Sequence, residues 1–325
     1  MPLSSPPTTV GSQPSHRPEL VRRHRWDGLR CESRLVRATA PRLRPLLLIG
    51  GAFQSKETWG RCEKLFLTNM DVFTVDPPGW GAADPLPPGR SVDVLADAVC
   101  HILDESGLRQ VNVVGGSYGS AIAYRIAQRH PERVGRMVLV GTMAAIPEHS
   151  RDAMHRALAL LDAGRMDEYA HASVDILMNT GRLDGITNGS RVRRFLLRRL
   201  AALSRAEAVQ VSTNTLRLLH HAELDTSVPV PAPTLTATGE HDAFTTPAQC
   251  RRMAQACGRG WFAEVADSDH MLFLERPVEI TDLVTRFLAD EPLHALPYCT
   301  RVEQLHPRTL PGPRAVGPMP GGKPV

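Results

Sequence analysis

The chain has 325 residues, 42% of them hydrophobic and 22% charged, and a formal net charge of +4. That length suffices for one large domain or two small ones with a substantial core. The positive charge is nearly all arginine and is scattered along the chain, which argues against the concentrated basic stripe of a nucleic-acid-binding protein. The N-terminal stretch lacks the apolar region and small-residue cleavage site of a secretory signal, and no apolar run is long enough to span a bilayer. The six cysteines form neither a CxxC pair nor a zinc-ligand spacing, and several lie in apolar segments where a reduced thiol packs as a small hydrophobe. These features predict a cytoplasmic protein.

Composition predicts two unstructured ends. Residues 1–28 read as a disordered arm whose first part is rich in Pro, Ser and Thr, and 291–325 as a disordered Pro/Gly-rich tail. Between them, Cys31–Ala40 reads as a strand, and Leu46–Ile49 (LLLI) as a strand buried on both faces and stopped by Gly50-Gly51. A helix is predicted over Glu57–Asn69, a strand over Asp71–Val75 ended by PPGWG, and a helix over Ser91–Glu105 opened by a serine cap. A strand at Val111–Val114, a helix at Ser120–His130 and a strand at Arg136–Val140 continue the alternation. Over 146–228 it gives way to four helical patterns, read as an inserted lid: Arg151–Ala163, Met166–Asn179, Arg191–Leu203 and Arg205–Leu224. Strand and helix then resume with Thr234–Thr238, Pro247–Ala256, Trp261–Val265 and Val278–Ala289. This order predicts an α/β core over 29–145 and 229–290, with a mostly parallel sheet covered on both faces.

The stretch VNVVGGSYGSA, Val111 to Ala121, places Gly-x-Ser-x-Gly between a strand and a helix. A serine at such a turn is held in a strained backbone conformation with its hydroxyl above the sheet, and small neighbours are required because side chains there would clash. A glycine-rich turn without chemistry is the plain alternative. A nucleotide-binding loop does not fit, because neither the GxGxxG spacing nor a Walker lysine is present. A serine hydroxyl needs a base, and a histidine base needs an acid to fix its tautomer. After TLTAT comes Gly239-Glu240-His241-Asp242, and after WFAEV comes Ala266-Asp267-Ser268-Asp269-His270, both at the sheet edge where catalytic groups gather. Ser117, Asp242 and His270 are therefore the predicted triad. Glu240 is the rival acid and His241 the rival base; His220 and His221 fall in the fourth lid helix, and Asp267 and Asp269 read as loop caps. The predicted oxyanion donors are the amides of Tyr118 and of Ala52, with Phe53 the alternative to Ala52. This chemistry calls for no metal or organic cofactor.

These motifs resemble the α/β-hydrolase fold superfamily over about residues 30–290: elbow GGSYG, oxyanion segment IGGAFQS, acid motif TGEHDAFTTP and histidine motif DSDHMLFLERP. Many relatives carry His-Gly where this chain has Gly50-Gly51, a change that keeps the amide donor. Members of the fold that open epoxides or remove halogens use aspartate at the elbow, so Ser117 implies acyl-serine chemistry. The lid and the segments GGAFQSKETW, FTVDPPGWGAADP and GEHDAFTTPAQCRRM are also similar to the acyltransferase that joins 3-hydroxyacyl chains in rhamnolipid biosynthesis and to hydrolases of polyketide clusters. That resemblance implies acyl ester or thioester substrates, with an acyl carrier protein as a possible partner. Apolar lid residues such as Leu158, Leu161 and Ile176 serve for packing or for roofing a greasy pocket, and Trp80 is placed near its mouth. The run Arg191, Arg193, Arg194, Arg198 and Arg199 is either a solvated helix face or a dock for an acidic carrier. The expected function is a serine esterase or thioesterase acting through an acyl-enzyme. An acyltransferase using an alcohol acceptor and a non-catalytic binding protein on the same scaffold are the alternatives.

Overall fold

The computed structural model describes residues 19–221 and 223–305. Among the described residues, nine strands form one sheet: β1 (Glu19–Trp26), β2 (Leu29–Val36), β3 (Leu46–Ile49), β4 (Val72–Asp76), β5 (Val111–Gly116), β6 (Val134–Val140), β7 (Thr234–Gly239), β8 (Gly260–Val265) and β9 (Cys299–Leu305). Their order is β1-β2-β4-β3-β5-β6-β7-β8-β9. All pairings from β4 across to β8 are parallel, while β1–β2, β2–β4 and β8–β9 are antiparallel. Every residue of β3, β4, β5 and β7 is buried. Their mainly apolar or small sequences, interrupted by Asp76 and Asn112, follow from having helices on both sides.

One face is covered by α2 (Val92–Glu105) and α3 (Tyr118–Arg129), the other by α1 (Gly60–Phe66) and α10 (Pro277–Leu288). The short α9 (Leu272–Glu275) follows the last loop of the sheet, and α8 (Pro247–Gln255) opens with a capping box in which Thr246 and Gln249 satisfy each other's amides. The helix predicted over Glu57–Asn69 contracts to α1, and ahead of it Lys56 turns inward, its Nζ 3.0 Å from Glu32, 2.7 Å from Glu57 and 3.0 Å from Asp76.

Between β6 and β7 lie α4 (Glu148–Asp162), α5 (Met166–Leu177), a 3-10 turn at Thr180–Gly185, α6 (Gly189–Ala201) and α7 (Arg205–His221). These helices hold their own apolar cluster, including Met154, Leu158, Tyr169, Val174, Leu196 and Leu200. On α6, Arg191, Arg194 and Arg198 are exposed, whereas Arg199 pairs with Glu207.

Both ends depart from the sequence reading. The arm expected over 1–28 contains β1; its first 18 residues lie outside the described ones. The missed signal is Asp27-Gly28, whose φ values of 48° and 77° make the two-residue turn that returns the chain into β2, with Trp26 opposite Leu29. Strand β1 is an edge, and its run of arginines keeps that edge from pairing further. Its one buried side chain, His24, is held by Ser33 and Glu105 at 2.7 Å each. The tail expected to be disordered from 291 contains β9, which closes the opposite edge; residues 306–325 lie outside the described ones. A bulge at Thr300 shifts the register of β9, so that Cys299 and Val302, three residues apart, both pack against the core, and Glu303 binds Arg251 at 2.7 Å. Its Pro- and Gly-rich surroundings and its lack of regular alternation concealed the strand.

Helix α7 is locked to the loop after β4. Gln210, Asn214 and Arg217 share one face of the helix and donate to the carbonyls of Gly81, Gly79, Leu86 and Pro87. Arg217 is 0% exposed and, among the described residues, has no carboxylate partner; Asn214 Oδ1 completes its acceptors at 2.6 Å. Replacing Arg217 by Ala strands these acceptors and opens a void, so urea denaturation is expected to show a loss of about 2–4 kcal/mol. Arg217→Lys is expected to recover only part of that loss, because an ammonium cannot reproduce the planar fork.

Candidate active site

Ser117 follows β5 and occupies the N-cap position of α3 with φ 50° and ψ −117°, a conformation held by its amide, which donates to Val140 O at 2.8 Å. The turn is tight enough that a Cβ on Gly119 would lie 2.1 Å from Ile49 O, and one on Gly115 would lie 2.5 Å from Gly119 O. Helix α3 therefore presses onto the ends of β3 and β5, and the Ser117 hydroxyl is directed away from the sheet toward the lid.

His270 Nε2 lies 3.0 Å from Ser117 Oγ, and His270 Nδ1 lies 2.9 Å from Asp242 Oδ2. The three predicted residues, separated by up to 153 positions, thus form one continuous hydrogen-bonded chain. Asp242 is fixed by further donors: the amides of Phe244 and Thr245 to Oδ1 at 2.9 and 2.7 Å, and the hydroxyls of Thr238 and Thr245 to Oδ2 at 3.0 and 2.6 Å. Thr245 Oγ1 is also 3.0 Å from His270 Nδ1. Sequence reasoning passed over Thr238 and Thr245, although both lie within the acid motif. Burial of His270 disfavours the imidazolium, but Asp242 overrides that effect, with Asp269 and Glu275 adding to it, so the His270 pKa is raised above 6.5.

The rival groups are turned to other tasks. Glu240 accepts the amide of Asp267 at 3.1 Å, and the His241 ring lies beside Gly185 of the lid. His220 is exposed, and the side chain of His221 lies outside the described residues. Asp267 is an exposed turn residue with φ 48°. Asp269, read as a loop cap, is instead fully buried and bonded to the lid.

Ala52 follows Gly51, whose Cα faces Ser117 closely enough that an added Cβ would sit 3.3 Å from the serine Cβ. The loop is held by Gln54 Oε1, which accepts the Gly51 amide at 2.8 Å, and by Trp80 Nε1, which donates to Gly51 O at 3.1 Å. Trp80 is thus buried beneath this loop rather than standing at a mouth, and its ring packs edge-on against Tyr118 at 5.1 Å. The Ala52 amide has no hydrogen-bond partner among the described residues. The Tyr118 amide, at the first turn of α3, has no intrahelical partner. A cavity of about 60 Å³ adjoins Ser117, walled by Phe53, Met154, Leu158, Ile176, Leu177 and Phe244. Across the Ala52–Phe53 loop lies a more polar cavity of about 350 Å³ between the loop after β4 and helices α6 and α7.

Comparison with known proteins places the chain in a family. The alpha/beta hydrolase fold family matches residues 44–277, and the chain belongs to it. The (E)-2-((N-methylformamido)methylene)succinate hydrolase of Acinetobacter baylyi is 23% identical over 253 residues, covering 76% of this chain and 91% of that protein. Among solved structures, an alpha/beta hydrolase named MGS-M2, from a Medee basin deep-sea metagenome library, superimposes with a TM-score of 0.75 at 18% identity, covering 84% of this chain and 98% of its own. The enol-lactonase from Burkholderia xenovorans LB400 superimposes with a TM-score of 0.71 at 20% identity, covering 82% of this chain and 100% of its own.

Two measurements check the geometry. An NMR titration of the His270 ring is expected to show a midpoint above the ordinary 6.5, moving down in Asp242→Asn, which lacks the main source of the rise. Gly119→Ala is expected to lower stability by about 1–3 kcal/mol or more in urea unfolding, because the clashing atom is backbone and cannot step aside.

Proposed function

We propose that the protein is a serine hydrolase that cleaves a carboxylic ester or thioester through an acyl-enzyme on Ser117. The observation that carries this reading is the chain Ser117 Oγ, His270 Nε2 and Nδ1, and Asp242 Oδ2, with links of 3.0 and 2.9 Å, beside an apolar cavity. Neutral His270 keeps its proton on Nδ1, donated to Asp242, which leaves the Nε2 lone pair facing the serine hydroxyl. Ser117 Oγ attacks the substrate carbonyl carbon as its proton passes to Nε2, and the carbonyl electron pair moves onto oxygen. The amides of Ala52 and Tyr118 stabilise that oxyanion, a contribution of about 3 kcal/mol per donor in comparable sites. Collapse expels the alcohol or thiol, which takes the proton from Nε2. Water then gives a proton to Nε2 and attacks the acyl-serine; the acid leaves, and Ser117 recovers its proton.

The apolar walls suit a hydrocarbon acyl group, and the small volume beside Ser117 favours short chains while the lid is closed as here. The lactonase and succinate-derivative hydrolase named above, which by their names act on carbonyl compounds, support the reaction class. Acyl transfer is a second reading, favoured by the polar cavity across the Ala52–Phe53 loop, which has room for an alcohol acceptor. Recognition of a carrier protein is not part of this reading: Arg191, Arg194 and Arg198 are exposed as on any solvated helix face, and Arg199 pairs with Glu207.

A panel of p-nitrophenyl esters and acyl thioesters, with and without added alcohols, tests the proposal. Short acyl esters are expected to turn over best, and Ser117→Ala to lower kcat by about 10⁴-fold or more. A fluorophosphonate is expected to label the wild type on Ser117 alone. An Ser117→Ala variant with undiminished turnover would refute the reading.

A further inference from the structure

Asp269 takes no part in the chemistry proposed above, yet it adjoins His270 in the chain, is 0% exposed and reaches the lid. Its Oδ2 accepts the backbone amide of Asn179, a residue 90 positions away between α5 and the following turn. The side-chain amide of the same Asn179 donates to the His241 carbonyl at 3.2 Å. One lid residue therefore bridges the two loops that carry Asp242 and His270. The seam continues where the Thr187 amide donates to Asp267 O at 2.8 Å and Asn188 Nδ2 to Glu275 O at 3.0 Å. Beneath it, the Asp269 amide donates to Glu275 Oε2 at 2.7 Å. Among the described residues, Asp269 Oδ1 and Glu275 Oε1 have no hydrogen-bond partner.

We propose that Asp269 is a positioning residue that clasps the lid to the histidine loop through Asn179 and holds a negative charge beside the His270 imidazole. The proposal rests on the serine-hydrolase reading. The groups facing Asp269 are His270 on its own loop, Asp242 from the loop after β7, Glu275 from α9 and the amide of Asn179 from the lid. Arg276, the neighbouring cation, is turned instead to Asp267 and Glu279. Burial pushes the Asp269 carboxyl up to about 6 and the Glu275 carboxyl up to about 8. Near neutrality, then, Glu275 is mostly protonated and Asp269 mostly charged, the Asn179 amide helping to keep it so. A negative neighbour favours imidazolium, so Asp269 holds the His270 midpoint up; removing its charge lets that midpoint fall.

The backbone permits a test aimed at one hydrogen atom. Asn179 has φ −75° and Met178 before it has φ −135° and ψ 141°, values that proline and its preceding residue adopt without strain. Asn179→Pro deletes the donor to Asp269 together with the side chain, whereas Asn179→Ala deletes only the side chain. The pH profile of kcat/KM on a short p-nitrophenyl ester and the NMR titration of the His270 ring are measured for wild type, Asp269→Asn, Asn179→Ala and Asn179→Pro. In Asp269→Asn both midpoints are expected to move down by about 0.5–1 pH unit. Asn179→Pro is expected to move them in the same direction and to lower kcat several-fold below Asn179→Ala. Should Asp269→Asn fail to fold, the Asn179 pair decides alone. A His270 midpoint unmoved in Asp269→Asn, or Asn179→Pro indistinguishable from Asn179→Ala, overturns the clasp. The ring titration needs no turnover, so these outcomes are separate from an undiminished Ser117→Ala variant, which overturns the hydrolase reading instead.

Discussion

The geometry of the candidate site depends on a backbone contact that no side chain can enter. Helix α3 approaches the end of β3 so closely that a single methyl group at residue 119 would fall 2.1 Å from Ile49 O. That approach forces the chain at Ser117 into φ 50° and directs the hydroxyl away from the sheet. Because β5 runs between β3 and β6, the same point also sets what can reach the serine. The loop after β3 brings Ala52 to one side. The loops after β7 and β8 bring Asp242 and His270 to the other, and the lid, which leaves from the end of β6, closes over the top. Parallel strands put all these loops at one edge, so one tight turn organises residues drawn from most of the chain.

The same logic explains what could be read in the sequence. Strands buried on both faces, such as LLLI at β3, leave unbroken apolar runs bounded by glycine, and those were legible. The edge strands β1 and β9 were not, because each shows a mostly exposed, charged face and sits among residues whose composition points to disorder. For β1 the Asp27-Gly28 turn was a local signal that composition outweighed. At the site, Ser117, Asp242 and His270 were legible because each lies just past a recognisable strand. Thr245 was visible in principle, three residues beyond the acid, yet its bonds to both Asp242 and His270 follow from how that loop folds back. Asn179 carried no signal at all: its backbone amide is what matters, and sequence does not encode which amide meets which carboxylate across 90 residues.

Three carboxyl groups, Asp242, Asp269 and Glu275, surround one buried imidazole. All three could not stay ionised there without large mutual repulsion and desolvation. The structure distributes the load by unequal hydrogen bonding. Asp242 receives four hydrogen-bond donors besides the histidine. Asp269 receives the amide of Asn179, while Glu275 receives the amide of Asp269 and is pushed furthest toward its neutral form. A graded set of this kind gives His270 Nδ1 one firmly held partner and places the two carboxyls that burial pushes up where a lid contact can influence them.

The polar ties of the lid also bear on how a substrate enters. Helix α7 is fastened to the loop after β4 by Gln210, Asn214 and Arg217, and the segment from Asn179 to Asn188 is fastened to the histidine loop. Those two seams enclose the site from opposite sides. The residues that roof the apolar cavity, Met154, Leu158, Ile176 and Leu177, come from α4 and α5. That pair is held mainly by apolar packing, with Arg151 donating to Leu219 O as its one side-chain hydrogen bond to α7 among the described residues. Apolar contacts yield gradually to displacement, whereas buried hydrogen bonds to backbone carbonyls resist it until they break. Opening above Ser117 therefore asks least of the α4–α5 hairpin, which can move while both seams stay closed and the histidine keeps its place.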